Sequence, residues 1–178
     1  FRAAGDPSGV GWIHYVHGNF SDLTIEMWPD MLEHSPEEKY PVPGWTHTDN
    51  SQAYLFSSAN KKTVLRHFQW MEAYGIDGAA VQRFVSGLNN SNPKESYRIP
   101  AYARDAANRT GRTFFIMYDM SGVNPDNSIN LMSDDWSYLI NRLKITEDDR
   151  YLHHNGIPVV GLFGFFSDRF SAADANRI

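Results

Sequence analysis

Between Thr63 and Val85 the spacing of apolar positions changes from helical to strand-like, and that change sets the reading of the rest of the chain. Val64, Leu65, Phe68 and Met71 fall at i, i+1, i+4 and i+7, a stripe of 3.6-residue period that predicts a helix. Asn60 stands where an N-cap belongs, and Gly75 where a left-handed residue ends a helix. Residues 76–81 follow, short and mostly apolar, and lead into Gln82-Arg83-Phe84. This predicts a buried parallel strand with polar side chains at its carboxyl end, where α/β sheets and barrels place their ligands.

The same patterning predicts the neighbours. Residues 10–16 (VGWIHYV) read as a first strand, with Gly18-Asn19 beyond it. From Phe20 to Ser58 no clean period exists. Prolines (Pro29, Pro36, Pro41, Pro43) and aromatics (Trp28, Tyr40, Trp45, Tyr54) make this a long irregular segment, of a kind that often carries function. Ser86 to Pro100 is polar and loop-like, and a weaker helical stripe over 99–108 is closed by Gly111. Thr113 to Tyr118 reads as a third strand ending at Asp119. Ser133 caps a helix bearing Trp136, Leu139, Ile140 and Leu143, and Asn155-Gly156 turns into a fourth strand over 157–163. A capping box, Ser171 to Asp174, opens a last helix.

Strands alternating with helices imply a parallel sheet with right-handed crossovers, either an open doubly wound sheet or part of a (β/α)8 barrel. No glycine-rich phosphate loop follows the first strand, which removes the usual nucleotide reading of the open sheet. A full barrel takes about 250 residues, whereas four strands here occupy 178. The expectation is an α/β fold, a parallel TIM-like (β/α) barrel incomplete in this chain. Residues 1–178 would form a single domain, the amino-terminal part of a longer (β/α)8 barrel.

Composition narrows the function. A net charge of −5, with no block of basic residues, argues against a nucleic-acid groove. No apolar run approaches the roughly 20 residues of a membrane span. The absence of cysteine removes disulfides, thiolate metal sites and a cysteine nucleophile. His14 and His17 would point to opposite faces of a strand, as would His153 and His154, so no metal site is expected, nor any cofactor. Sequons at Asn19, Asn89 and Asn108 lean weakly toward a secreted, periplasmic or extracellular location; no signal peptide is present, and either processing or truncation ahead of Phe1 would account for that. Aromatic content is high at 14%, with five Trp and nine Tyr. Together with Asn, Asp and His, such residues suit a surface that stacks on sugar rings. The remaining candidate chemistry is Gln82, Arg83 and Asp119 at strand ends, with Glu26, Trp28 and Asp30 on the long loop. Arg83 reads equally as a structural ion pair and Asp119 as a turn or N-cap residue, while Asp77, at the amino end of its strand, reads as structural. Sugar hydrolysis needs two carboxyl groups flanking the bond, and this chain shows no close-spaced pair.

Several segments in order carry a resemblance. They are Met27-Trp28-Pro29-Asp30-Met31, Leu55-Phe56-Ser57-Ser58, residues 67–78, Gln82-Arg83-Phe84, Met117-Tyr118-Asp119 with Ser121-Gly122, and His154-Asn155-Gly156 with Pro158-Val159-Val160. The set resembles the glycoside hydrolase family 71/99-like proteins, relatives of the endo-α-mannosidases, over nearly the whole chain. The resemblance implies a (β/α)8 barrel that acts on α-linked polysaccharide or glycan at the carboxyl ends of its strands, without cofactor. It implies substrate contacts from Trp28, Arg83 and Asp119, although the mannosidase branch has an aromatic where Arg83 stands; with Gln82 and Tyr118 beside them at the strand ends, these five are the expected substrate-binding residues. That branch's catalytic glutamates lie in a later EWHE-like segment that this sequence lacks. The catalytic residues are therefore unassigned, the chain alone is expected to be inactive, and a second chain or a missing segment is expected to complete the barrel. The alternatives are a non-catalytic carbohydrate-binding module on the same strands, and a small doubly wound domain whose loops serve a protein partner.

Overall fold

The computed structural model describes residues 1–17, 19–88, 93–123 and 125–177. Two units divide the chain, Phe1–His67 and Phe68–Ile178.

The first unit is built from short antiparallel pairs. β1 (Val16–His17) pairs with β2 (Asn19–Leu23), and β3 (Tyr40–Thr46) pairs with β4 (Gln52–Leu55). Two expectations are corrected here. Residues 10–16 do not join the parallel sheet. Gly9 and Gly11 take positive φ, and so does His14 (φ 66°), so the backbone leaves the extended region repeatedly. Ile13 makes only an isolated antiparallel bridge to Arg2. The segment from Phe20 to Ser58, in turn, contains a hairpin. In β3, Tyr40 and Val42 are buried while Pro41 and Pro43 are exposed, so a period of two is present. The prolines obscured it; on an edge strand they cost no ladder bond where the missing N–H would face solvent. Tyr15, Val42 and Leu55 form the centre of this unit, with Trp12, Val16, Ile25 and Trp28 packed around it.

Helix α1 (Lys61–Ala73) leads from the first unit into the second. Its ends match the sequence reading. The Asn60 side chain accepts a bond from the Lys62 N–H (3.0 Å). At the other end Gly75 has φ 71°, the Ile76 N–H donates to the Met71 carbonyl (2.8 Å), and the Gly75 N–H to that of Glu72 (3.4 Å). This is the Schellman pattern, which needs a left-handed residue where Gly75 stands.

The second unit is a mixed α/β structure around a three-stranded parallel sheet. β5 (Gly78–Phe84), β6 (Thr113–Asp119) and β9 (Val160–Phe163) lie in the order β5-β6-β9. α2 (Pro93–Thr110) and α3 (Pro125–Asn141) form the crossovers. Both helices start earlier than the apolar stripes indicated, each on a proline whose fixed φ and missing N–H suit a first helical position. Between the last crossover and β9, β7 (His153–His154) and β8 (Ile157–Pro158) form a hairpin through Asn155 and Gly156, both at positive φ. That is the turn an Asn-Gly pair favours. A short helix, α4 (Ala172–Ala175), follows with the expected capping box on Ser171 and Asp174. Phe114, Ile116 and Tyr118 of β6 are fully buried, as is Leu139 of α3, and Ala103, Ala106 and Ala107 of α2 are buried to within 2%. Small side chains there let the α2 backbone come close to the sheet.

Candidate functional site

Parallel register decides which residues share a face. Arg83 pairs with Tyr118, and Tyr118 with Leu162. Gln82 pairs with Met117 and Met117 with Gly161, while Phe84 pairs with Asp119 and Asp119 with Phe163. Because side chains alternate along a strand, Gln82, Phe84, Met117, Asp119 and Phe163 lie on one face, and Arg83 and Tyr118 on the other. In β5 the burial pattern agrees: Val81 and Arg83 are buried beneath the helices, whereas Ala80 and Gln82 are exposed. At the end of β6 both faces are covered, Tyr118 fully and Asp119 to 2% exposure.

On the open face the Gln82 amide nitrogen donates to Oδ2 of Asp119, and the Ser121 N–H donates to its Oδ1 (2.8 Å). The Met120 N–H continues the ladder to the Phe163 carbonyl (2.9 Å), and the Arg169 guanidinium donates to the carbonyls of Gly164 (2.8 Å) and Met120 (3.3 Å). The loops after β6 and β9 are thereby tied together at the carboxyl end. Gly164 is required there: its φ is 74°, and an added Cβ would lie 3.1 Å from Ser121 Oγ. The result is a carboxylate and an amide fixed side by side, beside the aromatic rings of Phe84 and Phe163. The pair can give and accept hydrogen bonds to vicinal hydroxyls.

On the helix face Arg83 makes a two-point ion pair with Asp135 of α3. Its Nε donates to Oδ2 (2.9 Å) and its Nη2 to Oδ1. The Tyr118 hydroxyl also donates to Asp135 Oδ2 (2.6 Å). The guanidinium lies 5.3 Å from the centroid of Tyr97, which stacks on Tyr138 at 4.1 Å. Arg83 and Asp135 are only 7% and 6% exposed, and Tyr118 is not exposed at all. Burial, with the adjacent Asp135 charge, pushes the Tyr118 hydroxyl far above the ordinary tyrosine range, and Tyr97 upward in the same sense. Asp135 was missed from the sequence. Its signal was there: an acid lying between Met132 and Leu139 on the buried stripe of α3.

Of the residues named from the sequence, Gln82 and Asp119 meet each other, and Arg83 and Tyr118 meet through Asp135. Trp28 belongs to the first unit, where its indole N–H donates to the Tyr54 carbonyl (3.0 Å) and its ring stacks on Trp45. Glu26 and Asp30 are exposed, and Asp30 accepts from the Leu32 N–H (2.8 Å). Asp77 is likewise exposed, and its carbonyl accepts from the Thr113 N–H (2.8 Å). Among the described residues no group of three or more His, Asp or Glu side chains could hold a metal ion, and no helix is long and apolar enough to cross a membrane.

No family model and no curated protein matches the chain. Two solved structures of the GH99 endo-alpha-mannosidase from Bacteroides thetaiotaomicron are similar in part. One, in complex with BIS-TRIS-propane, is 13% identical over 60% of this chain and 30% of that one, with a TM-score of 0.45. The other is 13% identical over 70% of this chain and 38% of that one, with a TM-score of 0.46. The chain spans well under half the length of either.

Proposed function

We propose that the chain is a glycoside-hydrolase-like protein that takes an α-linked polysaccharide or glycan at the carboxyl ends of β5, β6 and β9, the sheet being part of a (β/α) barrel. The observation that carries this reading is the Gln82–Asp119 pair at the carboxyl end of the sheet, in which an exposed amide caps a buried carboxylate that is fixed by Ser121 and lies between Phe84 and Phe163 in the register. The sequence motifs around Trp28, Gln82 and Asp119 support it. Gln82 and Asp119 bind sugar hydroxyls directly. Arg83 and Tyr118 serve the site from beneath by fixing the carboxyl ends of β5 and β6 to α3. Hydrolysis needs a second carboxyl group about 5–10 Å from the first, across the scissile bond; Asp119 is the candidate for one member of such a pair.

The test is calorimetry of the chain with an α-mannooligosaccharide and an α-glucooligosaccharide. Asp119→Ala and Gln82→Ala should each weaken binding at least about ten-fold, the loss of a charge-assisted hydrogen bond, with a cooperative melt showing that each variant is folded. Unaltered affinity in both variants would overturn the assignment.

A further inference from the structure

The first unit carries a second surface with the features of a binding site. The register of β3 against β4 breaks between Pro41 and Thr46, and Gly44 (φ 76°) sits in the break. Such an irregularity re-aims a side chain, and the side chain next to it is Trp45. The break is held in place by Gln52, whose side-chain amide donates to the carbonyls of Val42 (3.0 Å), Trp45 (3.1 Å) and Ala53 (2.8 Å). Trp45 stacks on Trp28 with centroids 6.1 Å apart and planes at 26°. Trp28 is itself anchored by its bond to Tyr54 and by packing on the Tyr15–Val42–Leu55 core, and His47 meets it edge-on at 6.0 Å. Even so, Trp45 remains 37% exposed, within a hairpin tip whose residues 43–52 are all exposed.

A stacked indole pair on a locked backbone is a flat apolar surface ordered in advance, so a ligand that lands on it has little side-chain entropy to remove. Around it the tip is polar: Thr46, His47, Thr48, Asp49, Asn50 and Ser51. A flat apolar centre within a rim of hydrogen-bonding groups matches a pyranose ring, with its C–H face and peripheral hydroxyls. It suits an acyl chain or an apolar helix poorly, since these need a continuous apolar groove. We propose that Trp45, backed by Trp28, docks a sugar ring of a glycan chain, as a second site in addition to Gln82 and Asp119. The class of ligand rests on the carbohydrate reading above; the place of the site does not.

The experiment is a nuclear magnetic resonance titration of the whole chain with mannotetraose and, separately, maltotetraose, following the indole N–H signals and the Gln82 side-chain amide. The Trp45 and Trp28 signals should shift on adding one of the two sugars. Trp45→Ala should weaken that response at least ten-fold, and Gln52→Ala should weaken it while leaving the ring in place. Asp119→Ala should leave it intact. Retained backbone amide dispersion shows that each variant is folded. Sugar-dependent shifts at Gln82 with both indoles silent would overturn the Trp45 site and leave the strand-end site standing. Indole shifts undiminished in both Trp45→Ala and Gln52→Ala would also overturn it. Silence at every signal would overturn both sites.

Discussion

Asp135 shows what a single residue can settle. Its carboxylate receives Arg83 and the Tyr118 hydroxyl together in a nearly dry setting. Removing it would leave a guanidinium buried without its counter-charge, a loss of about 3–5 kcal/mol. Asp135→Ala is therefore expected to lower thermal stability sharply. A double change to apolar residues, Arg83→Met with Asp135→Leu, should be much milder, because it leaves no charge behind. A melt showing the double variant as unstable as the single would refute this account. The same pair marks a boundary of what the sequence disclosed. Polar residues at the ends of two strands were visible, and so was the structural alternative for Arg83. The expectation that all four contact substrate overlooked alternation, by which 82 and 83, like 118 and 119, cannot point the same way. Only the partner was hidden: nothing local says that the helix beginning six residues beyond Asp119 returns an acid to this spot.

At the scale of elements, legibility tracked how local the determinants were. α1 was readable at both ends, because Asn60 and Gly75 act within one turn. β5 and β6 were readable because buried parallel strands are nearly continuous apolar runs. The β3–β4 hairpin was not, since two prolines and a register break interrupt its alternation. The sequon at Asn108 likewise has a local job in α2: its amide donates to the Arg104 carbonyl (2.9 Å) and to Asp148 (3.0 Å), while the Thr110 hydroxyl donates to Ala106 (2.9 Å). Gly78 supplies a test at this scale. It faces Thr113 across the β5–β6 pair, and an added Cβ would collide with the Thr113 carbonyl and hydroxyl oxygens. The obstacle includes backbone, so the strands must part. Gly78→Ala should cost about 1–3 kcal/mol, as overpacking does, and should speed amide exchange at the start of β6. Exchange rates at 113–115 equal to those of the parent chain would contradict this.

At the scale of the whole molecule, a pH dependence is built into the first unit by His67 and Glu38. Burial pushes the His67 imidazole down from 6.5 to about 4, and His34 and Arg66 nearby reinforce the shift against the opposing charge of Glu38. Its ring packs edge-on against Phe56 at 5.0 Å, and His34 stacks on the same phenyl ring at 5.8 Å. Burial works against the charge on Glu38, which is fully inaccessible, but bonds from Arg66, the Ser35 N–H and the Ser35 hydroxyl prevail and hold its carboxyl near 2. Both shifts act in one direction. As pH falls from 6.5 toward 4, the unfolded chain protonates His67 and the folded chain does not. From 4.5 toward 2 the same holds for Glu38, so the unfolded state binds more protons across the whole range and stability declines. For His67 the decline amounts to at most about 3 kcal/mol, at 1.36 kcal/mol per unit of pKa. His67→Phe keeps an aromatic ring against Phe56 and removes the titration. Its chemical unfolding midpoint should change less than that of the parent between pH 7 and pH 4.5, and the two should diverge most near pH 4.5. Parallel profiles for the two proteins across that window would show that His67 is protonated in the fold and that the buried imidazole is not what destabilises the unit in acid.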